Sequence, residues 1–258
     1  MRKFYILICN WYNFLFSIIE NYLYFEGHKI KINSNILTRG FELIHLKNKV
    51  LTKNIESKIK LNPYMCKDIL SDEEIFDLIN SLFVGQNLAH IITEKTGFNY
   101  SIDYMISYTT FHLPLDVSNK QVYANLWHND KPFTKNALKI IIPLNHTGRN
   151  GGGIEVLSID LSKKLNMDRS TINIKNYFIM ENNIDEILLF FPNLCHHRAG
   201  NPVPTVARHQ IMFQLNPSKE WNVNLSIYKK QFKIEPKFPF ICYLFDKKIK
   251  LKNKKIVN

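Results

Sequence analysis

Between Tyr100 and about Asn216 the chain alternates short apolar runs with turn residues and shows no long stretch of helical period. A chain written this way must bury one side of many short strands, which two facing sheets or a closed barrel can do. Tyr100, Ile102, Tyr104, Ile106 and Tyr108 recur with period two and read as one face of a strand. Leu138 to Leu144 is continuously apolar and reads as a buried strand. His146 to Gly153 is a glycine-dense turn; without Walker spacing or a following helix, its glycines serve backbone conformation and not phosphate binding. The expected fold is mainly β with flanking helices, around a jelly-roll core.

The flanking helices are legible before residue 100. Ser71-Asp72-Glu73-Glu74 is a capping box, in which Ser71 caps the amide of Glu74 while the Glu74 carboxylate reaches back. Ile75, Leu78, Ile79 and Leu82 follow at helical spacing, and a second helix is expected over 87–96, ending at Gly97. Gly40 to Leu46 and the alternating Lys29-Ile30-Lys31-Ile32 read as strands, and His90 as a core or flank histidine. Residues 1–27 form an amphipathic helix with Leu7, Trp11, Phe14, Ile18, Tyr22 and Phe25 along one stripe. Its Asn and Glu interruptions argue against a membrane span, and residues 10–26 carry no Lys or Arg for a lipid surface. Packing against the domain, or against a second subunit of a homo-oligomer, is therefore expected in place of membrane contact. The domain itself is expected over 28–217, with an irregular basic extension over 218–258 that includes six lysines between Lys247 and Lys255.

Chemistry concentrates in two places. In Leu126-Trp127-His128-Asn129-Asp130, an extended backbone turns His128 and Asp130 to the same face, presenting an imidazole nitrogen and a carboxylate oxygen to one point. Cys195-His196-His197-Arg198 follows the apolar run Ile187 to Phe191 and supplies a third ligand; Arg208 lies further on, opening another strand. Two histidines and one carboxylate on one side of a metal make the facial triad of non-haem Fe(II) oxygenases, with positions left open for reactants.

This order of residues resembles the Fe(II)/2-oxoglutarate-dependent oxygenases, most closely their phytanoyl-CoA dioxygenase-like branch. The matching text is Trp127-His128-Asn129-Asp130, then Asn150-Gly151-Gly152-Gly153-Ile154-Glu155-Val156, then Phe191-Pro192, His197, Gly200-Asn201 and Arg208. Gly40 to Ile44 resembles the strand that opens many such domains. The resemblance implies a double-stranded β-helix core, with His128, Asp130 and His197 as catalytic metal ligands for Fe(II). It implies that Arg208 binds the distal carboxylate of the co-substrate 2-oxoglutarate. It selects His197 over His196 by register, since Gly200 and Arg208 follow at the family's spacing. The implied reaction consumes molecular oxygen, hydroxylates a small-molecule substrate and releases succinate and CO2. One position departs from the pattern: Ala199 stands where relatives often carry a hydroxyl that helps hold the co-substrate.

Three rivals are weighed against this reading. Halogenases of the fold lack the carboxylate ligand, and Asp130 is present. Nucleic-acid demethylases of the fold carry a second Arg six residues after the first, where this chain has Gln214. A non-catalytic jelly-roll binding module or a cupin-like metal protein is the alternative from another class, although cupins present His-x-His and this chain has His128-Asn129-Asp130. The net charge of +12, from 34 Lys and Arg against 22 Asp and Glu, invites a nucleic-acid reading. The joint excess of Asn, Ile and Lys is what an AT-rich coding sequence produces on its own, so no nucleic-acid partner is expected. Cys9, Cys66, Cys195 and Cys242 form no C-x-x-C pair, which suits free thiols and a cytoplasmic location, with Cys195 near the metal and open to oxidation. Lys139 and Asn125 are possible helpers of co-substrate binding, although a lysine in so basic a chain is ordinarily a solvated one.

Overall fold

A computed structural model of the 258-residue chain describes residues 2–30, 34–48, 59–130, 134–167 and 176–223. Helices α1 (Arg2–Tyr24) and α2 (Asn35–Arg39) precede strand β1 (Phe41–His45) and the hairpin β2 (Ile59–Asn62) and β3 (Met65–Lys67). Next come α3 (Asp72–Ile79), continued by a π-helical turn Asn80–Gly85, and α4 (Leu88–Thr96), then β4 (Asn99–Thr110) and the short α5 (Leu115–Ser118). The rest is β5 (Leu138–Pro143), β6 (Ile154–Val156), α6 (Ile159–Met167), β7 (Phe178–Ile179), β8 (Glu186–Phe190), β9 (His197–Ala199) and β10 (Arg208–Ser218).

Two antiparallel sheets result. The larger has the order β1-β8-β5-β10-β4-β3-β2 and the smaller β7-β6-β9. Burial separates the faces of the larger sheet. Ile140 and Ile142 of β5, with Ile211, Phe213 and Leu215 of β10, join Leu78, Leu82, Leu88 and Ile92 of the helical layer in one core. Ile141 of β5 and Leu188 and Phe190 of β8 instead meet Ile154 and Val156 of β6 and Ala199 of β9 in a second core between the sheets. The period-two alternation of each central strand thus feeds two cores at once. The arrangement is the expected jelly roll, mainly antiparallel β with flanking helices.

Ser71 caps α3 with the full reciprocal box, its hydroxyl accepting from the Glu74 amide at 3.2 Å while Glu74 Oε2 accepts from the Ser71 amide at 2.8 Å. Gly97 ends α4 in the left-handed region.

Several expectations need correction. The stripe Tyr100 to Tyr108 is not one face: the pairing with β10 shifts between Gln214 and Leu215, skipping Asp103. This bulge turns Tyr100 and Ile102 toward the helical core while Tyr108 faces the other way, onto Gln210. Ile159–Met167 is helical where no helix was expected. Gly27–Lys29 is a 3-10 turn and not part of a strand, and residues 31–33 and the lysine-rich 247–255 lie outside the described residues. His90 sits at the surface, 2.9 Å from Glu94 one turn on. Of the two packings expected for α1, the one of its apolar stripe against the domain is not made: the helix meets the body through its polar side, with Asn13 and Ser17 only 2% and 6% exposed, and turns Trp11, Phe14, Ile18 and Tyr22 outward. Among the described residues, no single helix is long and apolar enough to cross a membrane.

Candidate metal centre

The segment Trp127 to Asp130 runs extended alongside β9. His128 and His197 exchange backbone hydrogen bonds at 3.1 and 2.8 Å, and the Asp130 amide donates to Pro192 O at 2.9 Å. This pairing sets the two imidazoles side by side, with centroids 4.4 Å apart and planes tilted by 52°, and brings the carboxylate two residues on to the same side. One ligand atom from each of His128, Asp130 and His197 lies within 4.8 Å of the other two. His196, by strand alternation, is turned away from this point; its amide donates to Ser162 Oγ at 2.8 Å, beside α6.

Hydrogen bonds orient both rings. His128 Nδ1 lies 2.7 Å from Leu126 O and His197 Nδ1 lies 3.0 Å from Cys195 O. A carbonyl only accepts, so Nδ1 carries the proton in each ring and the Nε2 lone pair is left for the centre. His197 Nε2 is buried without a hydrogen-bond partner, 3.8 Å from Asp130 Oδ2, and His128 Nε2 is 3.6 Å from Asp130 Oδ1. Two convergent imidazole lone pairs with a carboxylate fit a divalent cation; as a dry cluster they would leave polar atoms uncompensated.

The charges follow from burial and neighbours. Burial pushes the His197 ring down to about 3, against the attraction of Asp130 and with the help of Lys139 and His128. The ring is therefore neutral at physiological pH. Burial works to raise the Asp130 carboxyl, but Lys139 and the two histidines override it and hold the group at about 2. In the unfolded chain both groups regain ordinary values, so below pH 6.5 the unfolded chain takes up the histidine proton first. The metal-free protein is accordingly expected to keep this stability above pH 6.5 and to lose it as pH falls toward 3, by up to ~1.4 kcal/mol per unit for His197 alone. Urea unfolding of the metal-free protein at pH 7 and pH 5 should differ by roughly 2 kcal/mol; equal midpoints would contradict a neutral buried His197.

Lys139 was expected to be an ordinary solvated lysine. It is instead largely buried, with its ammonium paired to Asp130 Oδ2. The available signal was its position: a lone lysine inside the otherwise apolar strand Leu138–Pro143 has to find a buried partner. Asn125 is a loop organiser, accepting from the Val122 amide at 2.8 Å and donating to Ser118 O and Lys120 O. Cys195 is fully buried and burial pushes its thiol up to about 12, so the expectation of an oxidation-prone thiol is withdrawn. Behind the centre, Arg198 pairs with Glu155 at 2.6 Å and lies 4.8 Å from the Trp127 ring, clamping the segment before His128 to the small sheet.

Arg208 opens β10 with 0% exposure. One guanidinium nitrogen donates to Gly152 O and to Gly200 O. Those carbonyls reach it because the two loops run against each other: a Cβ on Gly152 would strike the Asn201 backbone, and one on Gly200 would strike Gly152 and Gly153. Arg208 Nε and Nη2 are buried with no acceptor, and among the described residues no carboxylate pairs with it. Burial lowers the pKa of this guanidinium, partly offset by Tyr108, Tyr123 and Glu155, but an arginine stays charged. A buried, unpaired cation of this kind costs several kcal/mol unless an anion meets it. The donor set therefore fits a carboxylate, which takes two parallel N–H donors from Arg.

No family model matches the chain, and no curated protein matches it. Solved structures similar to it include SnoN, a non-haem alpha-ketoglutarate-dependent epimerase from nogalamycin biosynthesis, at 12% identity and TM-score 0.47, over 71% of this chain and 81% of that one. EctD from S. alaskensis with bound Fe matches at 13% identity and TM-score 0.45, over 75% and 81%. HygX from Streptomyces hygroscopicus with nickel and 2-oxoglutarate bound matches at 12% and 0.45, over 72% and 87%. The likeness is one of overall shape, at identities too low to carry residue roles or substrates across.

Proposed function

We propose that this protein is an Fe(II)- and 2-oxoglutarate-dependent oxygenase that hydroxylates a small-molecule substrate. The observation that carries the reading is the pairing, in one jelly roll, of a convergent His128, Asp130 and His197 set with a buried guanidinium lacking an anion. His128, Asp130 and His197 hold the metal, and Arg208 takes the distal carboxylate of the co-substrate. Bound iron and 2-oxoglutarate supply the oxidising chemistry, in which the keto acid is decarboxylated to succinate and CO2 as molecular oxygen is consumed.

The chain's own share is orientation and exclusion of water. The Leu126 and Cys195 carbonyls hold Nδ1 of each ring as a donor, which leaves Nε2 of both turned toward the centre. Lys139 keeps Asp130 ionised. Phe190, with its ring centroid 4.7 Å from that of His197, closes the apolar side of the centre, and the core between the sheets seals the floor. Arg208 offers a fixed two-pronged donor, so the orientation of the co-substrate is set by the fold and not by its own flexible chain. Gln210 and Gln214 are buried on the same face of β10 and leave amide atoms without partners, providing further donors and acceptors for whatever enters.

The test is succinate release. Protein loaded anaerobically with Fe(II) is given 2-oxoglutarate, air and a panel of small molecules; succinate should form only with all three components, alongside a product heavier by one oxygen atom. Absence of both succinate and 2-oxoglutarate binding would leave the alternative, a non-catalytic jelly-roll metal or ligand binder, in its place.

A further inference from the structure

We infer that the outward face of α1 is the two-fold interface of a homodimer, in which two copies of the helix lie antiparallel. The helix presents its polar side to the body: the Lys135 amide donates to Ser17 Oγ at 3.0 Å, and Asn136 Nδ2 donates to Ser17 O, Glu20 Oε2 and Asn21 Oδ1 at 3.1–3.2 Å. Burial raises Glu20 to about 7, against the hydrogen bond from Asn136, so the body takes in even an acidic side chain in preference to the apolar stripe. That stripe is left in water. Trp11 is 67% and Tyr22 89% exposed, and Phe14, Ile18, Ile19 and Leu23 are each between 46% and 55% exposed.

This surface is too large to be incidental. With full side chains at roughly 150–250 Å², the exposed fractions amount to on the order of 700 Å². A monomer's largest apolar patch is about 300–600 Å², whereas a stable interface takes about 800 Å² from each partner. The pattern is also self-complementary. Within α1, Phe14 and Tyr22 are spaced symmetrically about Ile18. An antiparallel copy therefore sets Ile18 against its own counterpart and Phe14 against Tyr22. A two-fold axis through Ile18 satisfies all three at once, and helices meeting through such a seam pack as in a bundle.

A lipid surface is the poorer fit. Residues 11–25 contain no Lys or Arg to flank the stripe, although the body sets the Lys135 ammonium over the Phe14 ring at 5.4 Å.

The inference does not depend on the proposed chemistry and is tested on the full-length chain by sedimentation. The parent should behave as a dimer and Ile18→Glu as a folded monomer, with association weakened about 100-fold or more because two unpaired carboxylates would meet at the axis. Ile18→Cys in a Cys9→Ser background should form a symmetric intermolecular disulfide under mild oxidation. A monomeric parent whose Ile18→Cys variant gives no cross-link overturns the inference, as does a dimer that Ile18→Glu leaves intact. A monomeric parent that floats with vesicles of anionic phospholipid would assign the face to a membrane instead.

Discussion

His197→Ala is expected to remove measurable binding of a divalent metal, whereas His196→Ala should leave affinity within a few fold of the parent. The two histidines are adjacent in sequence and both buried, so burial alone does not separate them. Geometry does: only the His197 ring stands 4.4 Å from His128 and turns its Nε2 toward Asp130. Loss of a partner that merely orients a ligand costs roughly 10–100-fold in affinity, so loss of the ligand itself should exceed about 100-fold. Calorimetry with a redox-inert divalent ion measures this directly, and circular dichroism reports whether the variant still folds. Retained binding in His197→Ala with loss in His196→Ala would mean that the strand places the other ring at the centre.

How much of this was legible beforehand differs by element. The capping box at Ser71 and the end of α4 at Gly97 are local events, decided by residues within one turn, and they stand where the sequence puts them. The proximity of His128, Asp130 and His197 was legible for a similar reason: an i, i+2 pair shares a face on extended backbone, and the third residue follows an apolar strand that has to return to the same core. What escaped was set by distant pairing. A helical stripe shows that α1 has two faces but not which one meets the body. That choice rests on Asn136, more than a hundred residues away. The bulge at Asp103 is invisible in β4 alone because it exists only relative to β10. Lys139 was hidden by abundance: in a chain with 34 Lys and Arg, a largely buried lysine looks like the rest.

Arg208→Ala should lower 2-oxoglutarate affinity by tens to thousands of fold while metal affinity changes little. The parent guanidinium is already buried with Nε and Nη2 unpaired, so its desolvation cost is met in the free protein and a carboxylate arriving there recovers it. Deleting the side chain would leave that carboxylate buried without a countercharge, a penalty of about 2–5 kcal/mol in comparable pairs, at about 1.4 kcal/mol per decade of affinity. The proposed metal ligands come from other segments, the Trp127–Asp130 stretch and β9, which keep their backbone pairing to each other. Arg208→Lys tests the planar fork separately from the charge: the ammonium supplies a countercharge but not two parallel donors, so its affinity should fall between parent and alanine variant. Calorimetric titration of 2-oxoglutarate into protein saturated with a redox-inert divalent ion gives all three values without turnover. Equal affinities in parent and Arg208→Ala would show that the co-substrate carboxylate is held elsewhere, with Lys139, the other largely buried cation beside the centre, as the next residue to change.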